Sequence, residues 1–267
     1  TGGVTVQHRN LDKSEAICGE NPAMLTLAMW QPVVSIEHAS NAIPPELGTL
    51  GLTNEILESH VAWDPGAEYV GRKLASAVRS PIVVGQFSRL VADLNRSPEN
   101  HESVPSTAFG VAVPGNSQLS DEDRKKRLET YHSPYWSEVL KHIHSIFDSG
   151  HKCLHLGVHS FTHEYPGEIR EMDIGLLVDP SHIGDGPITK LIHKAINESG
   201  LDCRVNEPHS GLNDGITTNF RNRFLDGRYA SVEFEVSHRL LGNLDRVAKI
   251  IIEAVQTSGY LDEYLKQ

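Results

Sequence analysis

Cysteine is scarce in this chain: Cys18, Cys153 and Cys203 are the only three in 267 residues, far apart and odd in number. They match neither a disulfide framework nor a zinc-finger spacing, so reduced thiols in a cytoplasmic setting are expected. No lysine or arginine block stands out either, since the bases of Arg124–Arg127 follow Asp121–Asp123 in one mixed-charge, solvated face. Acids outnumber bases 35 to 24 and the formal net charge is −11, which argues against nucleic acid or an anionic membrane as a partner. No uninterrupted apolar run has the length needed to span a bilayer. The apolar residues of Met24–Trp30 are few and follow Asp12, Glu15 and Glu20, a poor signal peptide. Internal repeats and low-complexity tracts are absent, and nothing marks a domain boundary or an oligomeric state. With 39% hydrophobic residues the chain has material for one sizeable core, so residues 1–267 are expected to form a single domain.

What is present alternates in kind. Residues 1–30 show no clean period and read as a segment that wraps the domain. Val33–Ile36 is a short apolar run suited to a buried strand, and Ser40, Asn41, Pro44 and Pro45 stop it. Thr53–Ser59 reads as a short helix capped by Thr53. Ala67–Val78 places Val70, Leu74 and Val78 on one helical face. Pro81–Val84 is a second strand. Phe87–Leu94 reads as an apolar strand that carries Ser88, Arg89 and Asp93. Residues 97–118 form a long loop, and long loops in compact domains are usually functional or disordered. Ser120–Ser149 is the longest helical signal, capped by Ser120 and split at Pro134. Strands are expected at Leu154–Val158, Asp173–Val178, Cys203–Val205 and Ala230–Val236, and helices at Pro187–Glu198 and Asn243–Val255. Strands alternating with helices predict an α/β fold with a mostly parallel sheet covered on both faces.

The strand ends carry polar cargo: Glu37 and His38, Asp64 just before a helix, Arg89, Asn95 and Arg96, His159 and His163, then Glu233 and Glu235. Ligands in open α/β sheets bind outside the carboxyl ends of the strands. Two histidines and an acid from separate strand ends, with a fourth position open, meet the needs of a catalytic zinc site. Taken singly, each residue has a plain reading as well. His38 fits a satisfied loop histidine, Arg89 a partner of Asp93 or another acid, and Glu233 with Glu235 one face of a solvated edge strand. Arg96 suits a bidentate clamp on a substrate carboxylate. Ser40 and Ser160 neighbour histidines, yet no Gly-x-Ser-x-Gly elbow accompanies them, which disfavours a serine nucleophile.

In order along the chain come Ser35–Pro45, His60–Gly66 (His-Val-Ala-Trp-Asp-Pro-Gly), Ser88–Arg96, Pro114-Gly-Asn116, Val158–Thr162 and Asn206-Glu-Pro-His. Together they resemble the N-formylglutamate amidohydrolase family over about residues 33 to 241. The resemblance implies a fold similar to the zinc carboxypeptidases, the phosphorylase/hydrolase-like arrangement. It implies hydrolysis of an N-formyl amino acid such as N-formylglutamate, a small-molecule substrate. It implies zinc or another divalent metal on His38, His159 and an acid, with Asp64 chosen and Glu37 the substitute. Glu235 is the expected catalytic carboxylate, with Glu233 in reserve and Arg89 assisting. Asn95 and Arg96 are expected to bind the substrate, with Asn41 and Ser160 beside them. A deacylase or peptidase acting on another small carboxylate, or a non-catalytic anion-binding relative, stands as the alternative. One departure is plain: where the family has arginine and aspartate after the last strand's glutamate, this chain has Ser237 and Arg239, a change expected to bear on substrate preference.

Overall fold

The computed structural model describes residues 1–2, 28–165 and 167–267. The expected N-terminal wrap therefore falls largely outside the described residues, as does Cys18. Six strands form the main sheet: β1 (Trp30–Ile36), β2 (Ile82–Val84), β3 (Lys152–Phe161), β4 (Ile174–Leu177), β5 (Cys203–Val205) and β6 (Tyr229–Ser237). Their order across the sheet is β2-β1-β3-β6-β4-β5. The four strands from β2 to β6 run parallel, β4 is antiparallel to β6, and β5 follows β4 in parallel. Proline in a strand so near the centre needs an explanation. Pro32 lies opposite β3, whereas β2 pairs with β1 only from Val34 onward, so the missing N–H faces an open stretch of edge.

The period of two sorts every central strand. Val34 and Ile36, Leu154, Leu156 and Val158, and Val232, Phe234 and Val236 join one apolar cluster. It packs under α1 (Ala67–Ala77), α4 (Asp185–Glu198) and α6 (Leu244–Thr257). The opposite face meets α3 (Ser133–Asp148) and α5 (Ile216–Arg223) through Val33, Val83, Cys153 and Tyr229. This second face also carries the buried polar positions of the strands, among them His155, His159, Ser231, Glu233 and Glu235. Burying the apolar face explains the register, since a slip of one residue would exchange the two faces.

Several expectations change in form. Phe87–Leu94 makes turns and no strand. Ser88 Oγ accepts from Leu90 N at 3.1 Å and Asp93 Oδ1 from Asn95 N at 2.9 Å, local bonds that compete with a ladder. The loop 97–118 holds two helical turns, His101–Ser103 and Pro114–Asn116, and a small hairpin of Thr107–Ala108 with Val111–Ala112. The helical stretch from Ser120 is α2 (Asp121–Arg127), a wide turn over Leu128–His132, then α3. Pro134 sits in the first turn of α3, where its missing N–H costs nothing. Helix α5 was not expected, because Thr217, Thr218 and Asn219 are poor helix formers and no apolar period marks it. It is held by burial of Ile216, Phe220 and Arg221.

Candidate active site

Asp64 is the hub of the polar face. Its backbone N–H donates to His38 O at 2.9 Å, tying the Trp63–Gly66 turn to the end of β1. Gly66 then turns with φ +85°, a left-handed backbone that glycine adopts without strain, and α1 starts directly after it. Asp64 Oδ2 lies 3.3 Å from His38 Nδ1 and 3.0 Å from His159 Nδ1. Asp64 Oδ1 accepts from Arg89 Nη2, so the acid that Arg89 bonds is Asp64, while the charge of Asp93 also acts on it.

Each histidine is gripped from behind. His38 Nε2 sits 2.7 Å from Asp93 Oδ1, and His159 Nε2 sits 3.0 Å from Glu37 Oε2. Glu37 Oε1 in turn accepts from Tyr135 Oη on α3 at 3.0 Å. Glu37 thus stands behind His159, on the far side from Asp64. Asp64, and not the substitute acid, shares the inner space with both histidines.

Charge follows burial and pairing. Burial pushes the Glu37 carboxyl up, but the hydrogen bond and charge of His159 outweigh it and hold it near about 2. Burial pushes His159 down, and Glu37 reverses this to about 9. His38 is pushed down to about 4 by burial and the Arg89 charge, against the pull of Asp93. Burial raises Glu235 to about 7; the His159 charge opposes the rise and the Glu233 charge adds to it. Glu235 stands beside His159 in the β6–β3 register, and its Oε2 is buried without a hydrogen-bond partner among the described residues. Glu233 sits deeper, next to Gly157, and accepts from Thr217 Oγ1. A Cβ on Gly157 would meet Glu233 Cγ at 2.8 Å, so that glycine makes the room.

Two imidazole nitrogens and one carboxylate oxygen, from His38, His159 and Asp64, lie within 4.8 Å of one another. That donor set suits a divalent cation such as zinc. The carboxylates behind the imidazoles are the partners that ligating histidines commonly have.

The remaining expected residues separate. Asn95 and Arg96 line the pocket. Asn95 Oδ1 accepts from Ile216 N at 3.1 Å at the start of α5, and its Nδ2 points toward His159 Nε2 at 3.5 Å. Arg96 Nη1 donates to Asn95 O at 2.8 Å and Asp214 O at 3.2 Å, so part of its fork is committed to the loop. Ser160 lines the pocket, but its hydroxyl donates to Pro65 O at 2.9 Å and lies 2.9 Å from His238 Nε2. The hydroxyl is thus shared between a carbonyl and an imidazole. Asn41 does not line the pocket. It donates to Leu57 O at 3.0 Å and serves a carbonyl at the end of the Asn54–Leu57 turn, which would otherwise lack a partner. His163 lies in the turn beyond β3, outside the pocket lining. Ser237 and Arg239 do not line the pocket either; Arg239 Nη2 pairs with Asp173 Oδ1 at 2.9 Å, and Ser237 Oγ is buried without a hydrogen-bond partner among the described residues. Sequence reading singled out neither Arg170 nor His209, both of which line the pocket, and missed the grip of Asp93 on His38. His209 had one signal, the Asn206-Glu-Pro-His segment; Arg170 had none.

A polar pocket outside the carboxyl ends of a mostly parallel sheet defines an α/β enzyme of the open-sheet class. A family model described as N-formylglutamate amidohydrolase matches residues 31–241. The chain belongs to the N-formylglutamate amidohydrolase family and is a hydrolase of that type. Its fold is similar to the crystal structure of a gene product from Agrobacterium tumefaciens, with 31% identity, 89% of this chain and 92% of that chain covered, and a TM-score of 0.78. It is also similar to an N-formylglutamate amidohydrolase from Ralstonia eutropha JMP134, with 15% identity, 88% and 95% coverage, and a TM-score of 0.63; at that identity the likeness concerns the fold alone. No functionally curated protein matches the sequence. Among the described residues, no helix is long and apolar enough to cross a membrane.

Proposed function

We propose that this chain is a zinc-dependent amidohydrolase that cleaves the amide of an N-formyl amino acid, such as N-formylglutamate, to formate and the free amino acid. The observation that carries this reading is the convergence of His38 Nδ1, His159 Nδ1 and Asp64 Oδ2, each imidazole backed by a carboxylate, beside the unpartnered Glu235 carboxylate oxygen. Those three side chains would hold the metal. When bound, zinc supplies Lewis acidity toward the amide oxygen and toward water. Glu235 takes the proton of the attacking water and delivers it to the leaving nitrogen, which departs badly as an anion. Its carboxyl, raised to about 7, suits both directions of that transfer. Glu233 is held by Thr217 and keeps Glu235 basic through its charge. Arg89 steadies Asp64, and its guanidinium lies over the Phe109 ring. Asn95 Nδ2 and the uncommitted side of Arg96 offer donors to the substrate α-carboxylate. The buried free thiols of Cys153 and Cys203 support a cytoplasmic setting, and the packing of α6 on strands drawn from 30 to 237 supports one domain.

Metal content of the purified protein, measured alongside formate release from N-formylglutamate, tests the reading. About one metal per chain is expected, with formate released. His38→Ala and His159→Ala should each lose the metal while keeping the fold, and Asp64→Asn should weaken it, because a catalytic site is less structural than a closed four-ligand one. Retention of metal in both histidine variants would put the site elsewhere. Metal without formate release would turn the search to another small amide.

A further inference from the structure

The acids around the pocket are nearly all spoken for. Asp64 takes Arg89 and the two histidines, Asp93 takes His38 and Asn95 N, Asp214 takes Ser97 and Asn100, and Glu233 takes Thr217. On the cationic side, Arg96 is fastened to Glu102 and to the carbonyls of Asn95 and Asp214, whereas the side chain of Arg170 meets no carbonyl among the described residues. It follows the small hairpin of Glu164–Tyr165 with Glu168–Ile169, lines the pocket, and its side chain is only 13% exposed. Its guanidinium lies 5.1 Å from the Tyr165 ring centroid. No pocket acid reaches it. Its carboxylate partner is Glu168, two residues back and 55% exposed, which lies 3.2 Å from Nε and accepts a long hydrogen bond from Nη2 at 3.4 Å. The geometry of that contact is poor enough to leave Nε without a hydrogen bond. The Glu168 end of the pair is in solvent, so its carboxylate can be exchanged for another at little cost to the fold.

The location of Arg170 sets what it can read. Arg89 and Arg96 reach the pocket from the segment after β2, and Arg170 from the segment after β3. The positive charges of Arg89 and Arg170 both act on Glu235 and His60, and those of Arg89, Arg96 and Arg170 all act on His209. The three guanidiniums therefore border one space from two sides. One α-carboxylate satisfies the Asn95–Arg96 side and leaves Arg170 over.

We propose that Arg170 is a specificity-determining residue: its half-free guanidinium pairs with the side-chain carboxylate of a dicarboxylic N-acyl amino acid and displaces Glu168 in doing so. This rests on the amidohydrolase reading above and narrows its substrate class. Glu168 is then a competitor for the subsite, so the two neighbouring positions act with opposite sign.

Two measurements on the metal-loaded full chain test the pairing. Calorimetric titration with glutarate and with butyrate compares a dianion with a monoanion of similar reach. Steady-state kinetics compare N-formylglutamate with N-formylglutamine, which keeps the shape and removes the charge. Charge-assisted hydrogen bonds predict a loss of about tenfold to a hundredfold in glutarate affinity for Arg170→Gln. The same variant should lower kcat/KM for N-formylglutamate at least about tenfold more than for N-formylglutamine. Arg170→Lys should recover part of the preference, and Glu168→Gln should tighten glutarate binding. Equal binding of glutarate and butyrate by the native protein overturns the proposal, as do equal losses on the two amides in Arg170→Gln. If no N-formyl amino acid is cleaved, the amidohydrolase reading fails, and the glutarate titrations on the two variants still decide for or against Arg170.

Discussion

Glu235 combines a functional position with an energetic penalty. Its carboxyl is buried, lacks a partner for Oε2 and titrates near about 7, above its ordinary value. Between the unfolded and folded values the native state holds the extra proton, so this group lowers stability as pH rises from about 4.5 through 7. Glu235→Gln keeps the shape and removes both the penalty and the proposed proton transfer. The variant should retain metal, melt higher than the native chain in metal-free protein at pH 8, and lose that advantage below pH 4.5. Its kcat should fall about a hundredfold to ten-thousandfold. The native pH–rate profile should rise to a plateau with its limb at or below about 7, since a bound cation pulls the carboxyl down. Metal loss in Glu235→Gln would make it a ligand instead. Glu233→Gln, deeper and bonded to Thr217, should cost much less.

At the scale of elements, the pocket exists because β3 and β6 place polar residues on every second position of one face. The antiparallel strand β4 closes the far side. Gly175 of β4 pairs with Glu235, and a Cβ there would collide with the Glu207 carbonyl oxygen and stand 3.1 Å from Glu235 Cβ. The obstacle is backbone, which cannot swing aside as a side-chain tip can. Gly175→Ala should therefore destabilise the fold by about 1–3 kcal/mol, the usual range for overpacking, and displace Glu235 or the Asn206–His209 segment. A thermal melt and kcat/KM measured on the same preparation check this. A variant with native melting temperature and native activity would mean that the two segments part without consequence.

For the molecule as a whole, the proposed metal and a proton would compete for the same buried side chain, His159. Glu37 holds His159 as an imidazolium up to about 9 in the metal-free protein, and the metal needs the neutral ring. A raised folded value contributes stability that is fully present below the unfolded value of 6.5 and is lost as pH rises through about 9. Metal-free protein should thus lose this contribution across that window, while zinc binding strengthens. Zinc added at a hundred times its dissociation constant should stabilise the native chain by about 2.7 kcal/mol. At a single zinc concentration the rise in melting temperature should be larger at pH 8.5 than at pH 6.5, windows set by the His159 shift. His159→Ala should abolish the rise at both. A zinc-induced rise that survives in His159→Ala would point to binding outside the His38, Asp64 and His159 group.

Much of this was readable along the chain. Each of the six sheet strands falls on a short apolar or alternating run, because strand burial imposes a period of two that any single segment displays. The polar residues that close the pocket were conspicuous for the same reason, since Glu37, His38, His159 and Glu235 interrupt or end such runs. Helix α5 was hidden, because it is held by contacts of Ile216, Phe220 and Arg221 and by no local propensity. Local order is silent about partners far away in sequence. It could not separate Asp64 from Glu37, which stand on opposite sides of the His159 ring. It could not show that Asn41 and Arg239 serve a backbone carbonyl and Asp173, nor that Arg170 turns into the pocket. The sequence by itself determined the layers, the strand ends and the kinds of side chain gathered there. The tertiary structure alone decided which ring nitrogen, which carboxylate and which face each of them presents. Those are set by the order β2-β1-β3-β6-β4-β5 and by where α3 and α5 stop covering the sheet.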